Sequence, residues 1–276
     1  MATDVNQLLN QIHNLPQIPE ILHSIINQLS NPHTDMLDIA KNVEKEQLIA
    51  LKVLRLVNSA HFGLTRKVNS IEEATLLIGM SQLKTLIVAS SLVHSVPAIP
   101  NFDVKQFWNN TFLIASYAKW FADKAHLQTE VAYTAGLLSG LGNILLHMGA
   151  PKEANEIDQH VKAGSFRPDM ERNRIGFTNQ AACAELLRRW KLGEELIIAI
   201  EQSAEPLSVA KPDKLACTVF LGNYISQCLV RDYPVANILS NFPHTVAEKI
   251  GLDADVIETN INEIIAINSN LQGLTD

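Results

Sequence analysis

The sequence predicts an all-α protein. Apolar residues recur at steps of three and four along almost every segment, and this spacing places them on one face of a helix. The alternating pattern bounded by hairpin turns that is typical of strands is not found in the sequence. With 47% apolar and 18% charged residues among 276, the chain can bury a large core. These observations favour a folded helical protein over a disordered or fibrous one.

The first hundred residues carry three predicted helices. The first covers residues 18–29 and ends before Asn31-Pro32, because a residue that precedes proline disfavours the helical conformation. The second covers residues 48–57, and its apolar stripe consists of Leu48, Leu51, Leu54 and Val57. Ser70 followed three residues later by Glu73 is a capping box, which predicts the start of a third helix.

Residues 101–276 carry five further predicted helices, over 104–125, 129–148, 178–190, 214–230 and 255–271. On the third of these, Ala182, Leu186 and Trp190 share one face. The last one is rich in isoleucine, so it either docks on the core or pairs with a second subunit. Pro97 and Pro100 interrupt the helical pattern. We therefore expect an N-terminal helical subdomain over residues 1–100 and a second helical unit over residues 101–276.

Composition and charge exclude several classes of function. The formal net charge of −7 and the pI near 5.7 disfavour binding to DNA or to an anionic membrane. Three cysteines without a CxxC spacing predict neither a disulfide framework nor a Cys-rich zinc site, and they favour a reducing compartment. Phosphate-binding P-loop, nucleophile-elbow and dinucleotide-binding motifs are not found in the sequence. We expect a cytoplasmic protein, because the first residues do not form a secretory signal.

Two sets of short motifs follow one another along residues 10–230. The first set is Leu15-Pro16-Gln17-Ile18-Pro19, Leu54-Arg55-Leu56-Val57-Asn58-Ser59-Ala60 with Phe62-Gly63, and Ile71-Glu72-Glu73-Ala74. The second set is Phe107-Trp108, Ala135-Gly136-Leu137-Leu138, Leu141-Gly142, Ile175-Gly176 and Ala184-Glu185-Leu186-Leu187. In this order the motifs resemble those of the HDOD domain, the HD-related output domain of bacterial signalling proteins. The resemblance implies an HD-like helical core, and a mainly structural role for Asn58, Ser59, Ala60 and Gly63.

The resemblance also implies that a metal site has been lost. The wider HD superfamily comprises phosphohydrolases whose His and Asp side chains bind water-activating metal ions. Alignment of the motifs places other residues at those positions, namely Asn110, Ser139, Gly140, Asn179, Ser203, Ala204 and Asn223. Asn and Ser are weak ligands for divalent cations, and Gly and Ala side chains are not ligands. The sequence therefore predicts no metal, no cofactor and no catalytic residue.

The former active-site crevice has two possible fates. It is either filled by side chains and water, or it binds a small ligand through donors and acceptors on Asn110, Ser139, Asn179 and Ser203. A nearby basic cluster contains Arg167, Arg172, Arg174, Arg188 and Arg189. Of these, Arg172 and Arg174 are the candidates for contact with a ligand phosphate. The alternative interpretation of the cluster is a solvated face on which the arginines pair with neighbouring carboxylates.

Three functions follow from these alternatives. The first, and the one that the missing ligands favour, is a non-enzymatic signalling module that binds a protein partner. The second is an HD-type phosphohydrolase, which requires that residues such as His126, His147 or Glu130 rebuild a metal site. The third is a nucleotide or small-molecule sensor that uses the former crevice without turnover. The sequence identifies neither the partner nor the oligomeric state.

Overall fold

A computed structural model describes residues 4–13, 15–17, 20–28, 43–58, 66–97, 99–100 and 102–267. Every regular element within these ranges is helical. The predicted all-α class is confirmed.

Among the described residues before residue 100, four helices have defined bounds. They are α1 (Val5–Gln11), α2 (Glu20–Gln28), α3 (Gln47–Val57) and α4 (Ile71–Ser95). The predicted start of α4 is confirmed, because the Glu73 N–H donates to Ser70 Oγ at 3.0 Å. Helix α4 bends at Gly79, where φ is 80°.

The buried face of α3 differs from the predicted stripe. Leu48 and Leu51 are 56% and 65% exposed, whereas Ile49, Val53 and Leu56 are buried. Helix α3 is apolar around most of its circumference, so steps of three and four fit two overlapping faces equally well. Contact with α4 decides which of the two faces is buried.

The remaining elements follow one another with short connections. They are α5 (Val104–Lys124), α6 (Thr129–Ser139), α7 (Leu141–Gly149), α8 (Pro151–Lys162), α9 (Arg167–Ile175), α10 (Asn179–Arg189), α11 (Glu194–Gln202), a 3₁₀ turn (Pro206–Ser208), α12 (Lys214–Val230), α13 (Val235–Ser240), α14 (His244–Lys249) and α15 (Ala254–Ile265). The long helix α5 packs against both α6 and α12. It therefore forms one wall of any space that these helices enclose.

The helix predicted over residues 129–148 is divided at Gly140 into α6 and α7. At this point the Ser139 hydroxyl donates to the Gly136 carbonyl, and the Asn143 N–H donates to the Gly140 carbonyl. The Asn143 bond joins backbone groups three residues apart, which is the spacing of a tighter 3₁₀ turn. By length and composition, Thr129–Gly149 could cross a membrane, but 78% of its apolar window is buried inside the protein. This stretch is therefore placed as a core segment.

Two hydrophobic clusters hold the helices together. The first joins α1–α4 to the central helices, so that Leu8 and Ile71 share a core with Trp108 and Leu145. The second lies between α5, α12 and the C-terminal helices, and it includes Phe121. Helix α15 docks on this second cluster through Ile257, Ile261 and Ile264, and the Trp120 indole N–H donates to Glu263 at 2.8 Å. Beyond α15, the part of the predicted helix after residue 267 lies outside the described residues.

Candidate functional site

A cavity of about 500 Å³ opens between α5, the α6–α7 junction, the C-terminal end of α8, the N-terminal ends of α9 and α10, and α12. Phe107, Thr111 and Ile114 line it from α5, and Val219 and Val230 line it from α12. Apart from Val161, the other described residues in its wall are polar or small; they are Asn110, Ser139, Gly140, Asn143, Lys162, Arg167, Asn179, Gln180, Ser203, Asn223, Ser226, Gln227 and Arg231. The cavity is large enough for a small organic ligand, since such pockets measure roughly 300–1,000 Å³.

Most of the predicted ligand positions meet in this cavity. Six of the seven line it, namely Asn110, Ser139, Gly140, Asn179, Ser203 and Asn223. They come from five separate segments of the chain, so their convergence is a property of the fold. Ala204 is buried but does not line the cavity.

The Gly140 position has no room for a side chain. A Cβ atom built on Gly140 would lie 2.8 Å from Thr111 Oγ1 and 3.0 Å from Phe107 Cζ. Both distances are shorter than van der Waals contact. An aspartate at this position, where HD phosphohydrolases carry one, would have to displace α5 side chains.

Hydroxyl groups of the cavity wall are tied to their own helices. Ser139 donates to the Gly136 carbonyl at 2.7 Å, and Ser203 donates to the Ile200 carbonyl at 2.7 Å. Each hydroxyl uses its one hydrogen in this way, so what it can offer a ligand is its oxygen lone pairs.

Asn179 is held by a buried glutamate. Its backbone N–H donates to Glu171 at 2.7 Å, and its side-chain amide donates to the same carboxylate at 2.9 Å. Thr178 caps the same helix end by accepting from the Ala181 N–H at 3.2 Å. Burial raises the pKa of Glu171, and the Arg167 guanidinium and the Asn179 donors oppose this rise. Asn179 therefore serves to anchor the start of α10 on α9.

Ionic contacts connect Glu171 to Arg167, which lines the cavity, and through it to Asp158 and His147. Arg167 pairs with Glu171 at 3.2 Å and also with Asp158, and His147 Nε2 lies 3.0 Å from the second oxygen of Asp158. Burial alone would raise the pKa of Asp158, but the hydrogen bond from His147 and the charge of Arg167 lower it overall. The charge of Arg167 is thus offset by two carboxylates.

Arg172 and Arg174, predicted to face a ligand, lie elsewhere. Neither lines the cavity. Arg172 pairs with Glu205 and with Asp169, and Arg174 pairs with Glu156 at 3.1 Å. These two arginines follow the alternative interpretation of a solvated, ion-paired face.

The polar residues of the cavity do not fit a metal ion. Within the described part of the chain, no three His, Cys, Asp or Glu side chains come together in a way that could hold one. His147 is engaged with Asp158, and Glu130 accepts from Lys119 at 3.0 Å. The cavity wall itself offers amides, hydroxyls and cations, which are a poor ligand set for a divalent cation.

Several cavity residues were not predicted from the sequence. Asn143, Ser226 and Gln227 lie three or four residues after predicted positions and so share their helix faces, which is a signal that could have identified them. Lys162 and Arg231 carried no such signal. They approach each other because Arg231 donates to the Val161 carbonyl at 2.9 Å, across 70 positions of the chain.

The family-motif residue Asn58 has a structural role. Its side-chain amide donates to the carbonyls of Leu54 and Val68 at 2.9 and 2.8 Å, and it accepts from the Val68 N–H at 2.7 Å. These bonds tie the end of α3 to the segment that leads into α4. Ser59, Ala60 and Gly63 lie outside the described residues.

Comparison with known protein families defines the class of this chain. The HDOD domain matches residues 15–206. The chain belongs to the HDOD domain family.

Relatives and solved structures agree with this assignment. An uncharacterized protein of Treponema pallidum is 25% identical over 196 residues, which are 70% of this chain but only 38% of that relative's length. An HDOD domain protein with unknown function from Geobacter sulfurreducens has a TM-score of 0.78 at 20% identity, over 95% of both chains. A candidate phosphohydrolase from Shewanella amazonensis SB2B has a TM-score of 0.76 at 25% identity, over 98% of this chain and 97% of that one. The fold is therefore that of HDOD and HD-like helical proteins.

Proposed function

We propose that this chain is a non-catalytic signal-transduction module of the bacterial cytoplasm that acts by binding a protein partner. The observation that carries the proposal is the chemistry of the cavity. Six positions that correspond to metal ligands of HD phosphohydrolases line it, and none of its described lining residues is a His, Cys, Asp or Glu.

Hydrolysis by an HD-type mechanism needs at least one metal ion to activate water. A cationic metal centre requires anionic or imidazole ligands, and the cavity offers neutral amides and hydroxyls in their place. The nearby carboxylates of Glu171 and Asp158 are already engaged by Arg167. Conversion of either carboxylate into a metal ligand would take one of two partners away from the largely buried guanidinium of Arg167.

The alternative is a metal-dependent phosphohydrolase. The description of the Shewanella amazonensis protein favours it, because that protein shares 25% identity with this chain over nearly the whole length of both. For this chain, the alternative requires ligands from outside the six aligned positions. His147 does not line the cavity, which makes it a poor source.

Metal content and hydrolysis together test the non-catalytic half of the proposal. Tag-free protein is dialysed against Mn²⁺, Fe²⁺ or Zn²⁺ and then against buffer, and its metal content is measured by elemental analysis. We expect less than about one-tenth of an equivalent of each metal, since one bound ion is the minimum that the chemistry needs. Assays with p-nitrophenyl phosphate and bis(p-nitrophenyl) phosphate are expected to give equal background rates for the wild type and for Asn110→Ala. Stoichiometric metal together with hydrolysis that Asn110→Ala abolishes would overturn the proposal.

Partner binding needs a separate experiment. Proteins captured with the chain in its own cells are purified and recombined with it, and the stoichiometry and dissociation constant are measured. The expected result is a complex of fixed stoichiometry formed from purified components. If no captured protein forms such a complex, the partner-binding half of the proposal is wrong, whatever the hydrolysis assays give.

A further inference from the structure

The charge of the cavity wall is opposite to that of the protein as a whole. The chain carries a formal net charge of −7, yet the described lining includes three cationic side chains and no carboxylate. They are Lys162, Arg167 and Arg231. Cavity walls of one sign concentrate counter-ions, because the field is focused in a space with low-dielectric sides.

Two of these cations have no anionic partner. Whereas Arg167 is offset by Asp158 and Glu171, Arg231 makes its hydrogen bond to a neutral carbonyl, that of Val161, at 2.9 Å. Neither Arg231 nor the exposed Lys162 forms an ion pair within the described part of the chain. Since Lys162 is the residue after Val161, the two free cations face the cavity from the ends of α8 and α12.

Amide groups add hydrogen-bond donors beside these cations. Asn143 accepts from Arg167 and Asn223 accepts from Gln227 through their side-chain oxygens, so the N–H groups of both amides remain for a ligand. The side chain of Asn110 makes no hydrogen bond to the described residues.

From these features we infer that the cavity binds a phosphate ester of about mononucleotide size without hydrolysing it. Lys162 and Arg231 face the phosphate, the free amide N–H groups of Asn143 and Asn223 donate to its oxygens, and the apolar wall at Phe107 contacts the organic part. The ligand then supplies an input to the module. The absence of hydrolysis rests on the proposed non-catalytic function, whereas binding of the ester is tested separately from partner binding, since its readout is different.

Paired ligands isolate the contribution of the phosphate. Purine and pyrimidine nucleoside monophosphates and ribose 5-phosphate are each compared with the corresponding nucleoside or free sugar, and with inorganic phosphate, at constant ionic strength. The full chain is studied by thermal shift and titration calorimetry. We expect saturable binding of at least one ester, with a rise in melting temperature that its unphosphorylated counterpart does not give. If no ester binds more tightly than its counterpart at millimolar concentration, the inference is wrong.

Variants then locate the binding site. Arg231→Gln and Lys162→Gln are each expected to weaken binding of the ester by about ten-fold, the loss of one charge-assisted contact. Arg174→Gln is the matched control, because Arg174 is exposed, ion-paired and outside the cavity, and it should bind as the wild type does. Lys162 is exposed, so its variant remains informative if Arg231→Gln does not fold. Equal affinity in Lys162→Gln and the wild type would overturn the inference.

Recovery of the ligand separates this inference from the proposed function. After incubation, the ester is analysed for released phosphate. An intact ester bound in the cavity supports both conclusions. Phosphate release that Asn110→Ala abolishes would overturn the non-catalytic function and the statement that the ester is not hydrolysed.

Discussion

The buried ion pair between Glu171 and Arg167 provides a direct test of how the candidate site is held together. Glu171 is fully buried, lies 3.2 Å from Arg167 and accepts three hydrogen bonds from Asn179. Glu171→Gln keeps the size of the side chain but removes its charge. It also turns an N–H₂ group toward donors that need an acceptor.

The magnitude follows from the burial of the pair. Removal of one partner from a buried ion pair costs about 3–5 kcal/mol. Since the Arg167 side chain is still 20% exposed, we expect the lower end, about 3 kcal/mol. For a chain of this size the melting temperature should fall by about 6–12 °C.

Asp169→Asn is the matched control on the same helix. Asp169 also pairs with an arginine, Arg172, but it is 66% exposed and the ion pair is 3.7 Å long. Such a pair contributes less than about 1 kcal/mol. Thermal and urea unfolding of both variants should therefore give clearly different losses. Equal, small losses would refute the reasoning that α9 is anchored to α10 through a buried carboxylate.

Three further perturbations test the surrounding structure. Gly142→Ala places a Cβ 2.0 Å from the Asn179 carbonyl oxygen. The resulting overpacking should cost about 1–3 kcal/mol or more, which outweighs the gain in helix propensity of about 1 kcal/mol, so the melting temperature should fall. In the control Gly193→Ala, the new Cβ has no atom within 4 Å, and the melting temperature should change little. Asn58→Ala removes three hydrogen bonds and should lower the free energy of unfolding by about 1–3 kcal/mol, which is measured as a lower urea midpoint. An unchanged midpoint would contradict this expectation. The pKa of Asp158 is lowered in the folded state, so the ionised carboxylate stabilises the protein above its unfolded pKa near 4, and this contribution is lost as the pH falls below that value. In a series of melting curves at decreasing pH, Asp158→Asn should therefore lose less stability than the wild type. Parallel losses in the two proteins would contradict this assignment.

The local signal that predicted the start of α4 was reliable, because a capping box involves neighbouring residues only. Ser70 caps α4 as predicted. The buried face of α3 was mispredicted, since a nearly all-apolar helix leaves the choice of face to tertiary contact. Leu48 and Leu51 fit the stripe in the sequence and are nevertheless exposed.

For the candidate site too, features fixed by the order and spacing of helices were predictable, whereas features fixed by tertiary contacts were not. Motif alignment predicted which positions meet in the cavity, because helix order and spacing fix them. The arginines of α9 were assigned to one basic cluster, but among them only Arg167 lines the cavity. Arg172 follows Arg167 by five residues, which rotates it by about 140° around the helix, and Arg174 lies about two turns beyond Arg167. The free cations Lys162 and Arg231 line the same cavity although they are 69 positions apart in the chain, and no local sequence pattern predicts this.

Neutral residues at the aligned ligand positions and a cationic cavity wall are consistent with each other in physical terms. A divalent metal site needs carboxylates or imidazoles facing inward, and any such carboxylate would have paired with Arg231 or Lys162 and offset their charge. With Asn110, Asn179 and Asn223 in those positions, the two cations remain available. The positive charge that a metal ion would provide toward a phosphate group is then supplied by side chains, which can bind the group but cannot activate a water molecule as a metal does. On this argument, introduction of a carboxylate by Asn223→Asp should weaken the binding of a phosphate ester by about ten-fold, because it places an anion in the same cavity wall as the free cations. Asn223→Ser, which also loses the amide donor but stays neutral, is the control. Equal affinity in the two variants, measured by titration calorimetry, would show that the charge of the wall does not govern binding.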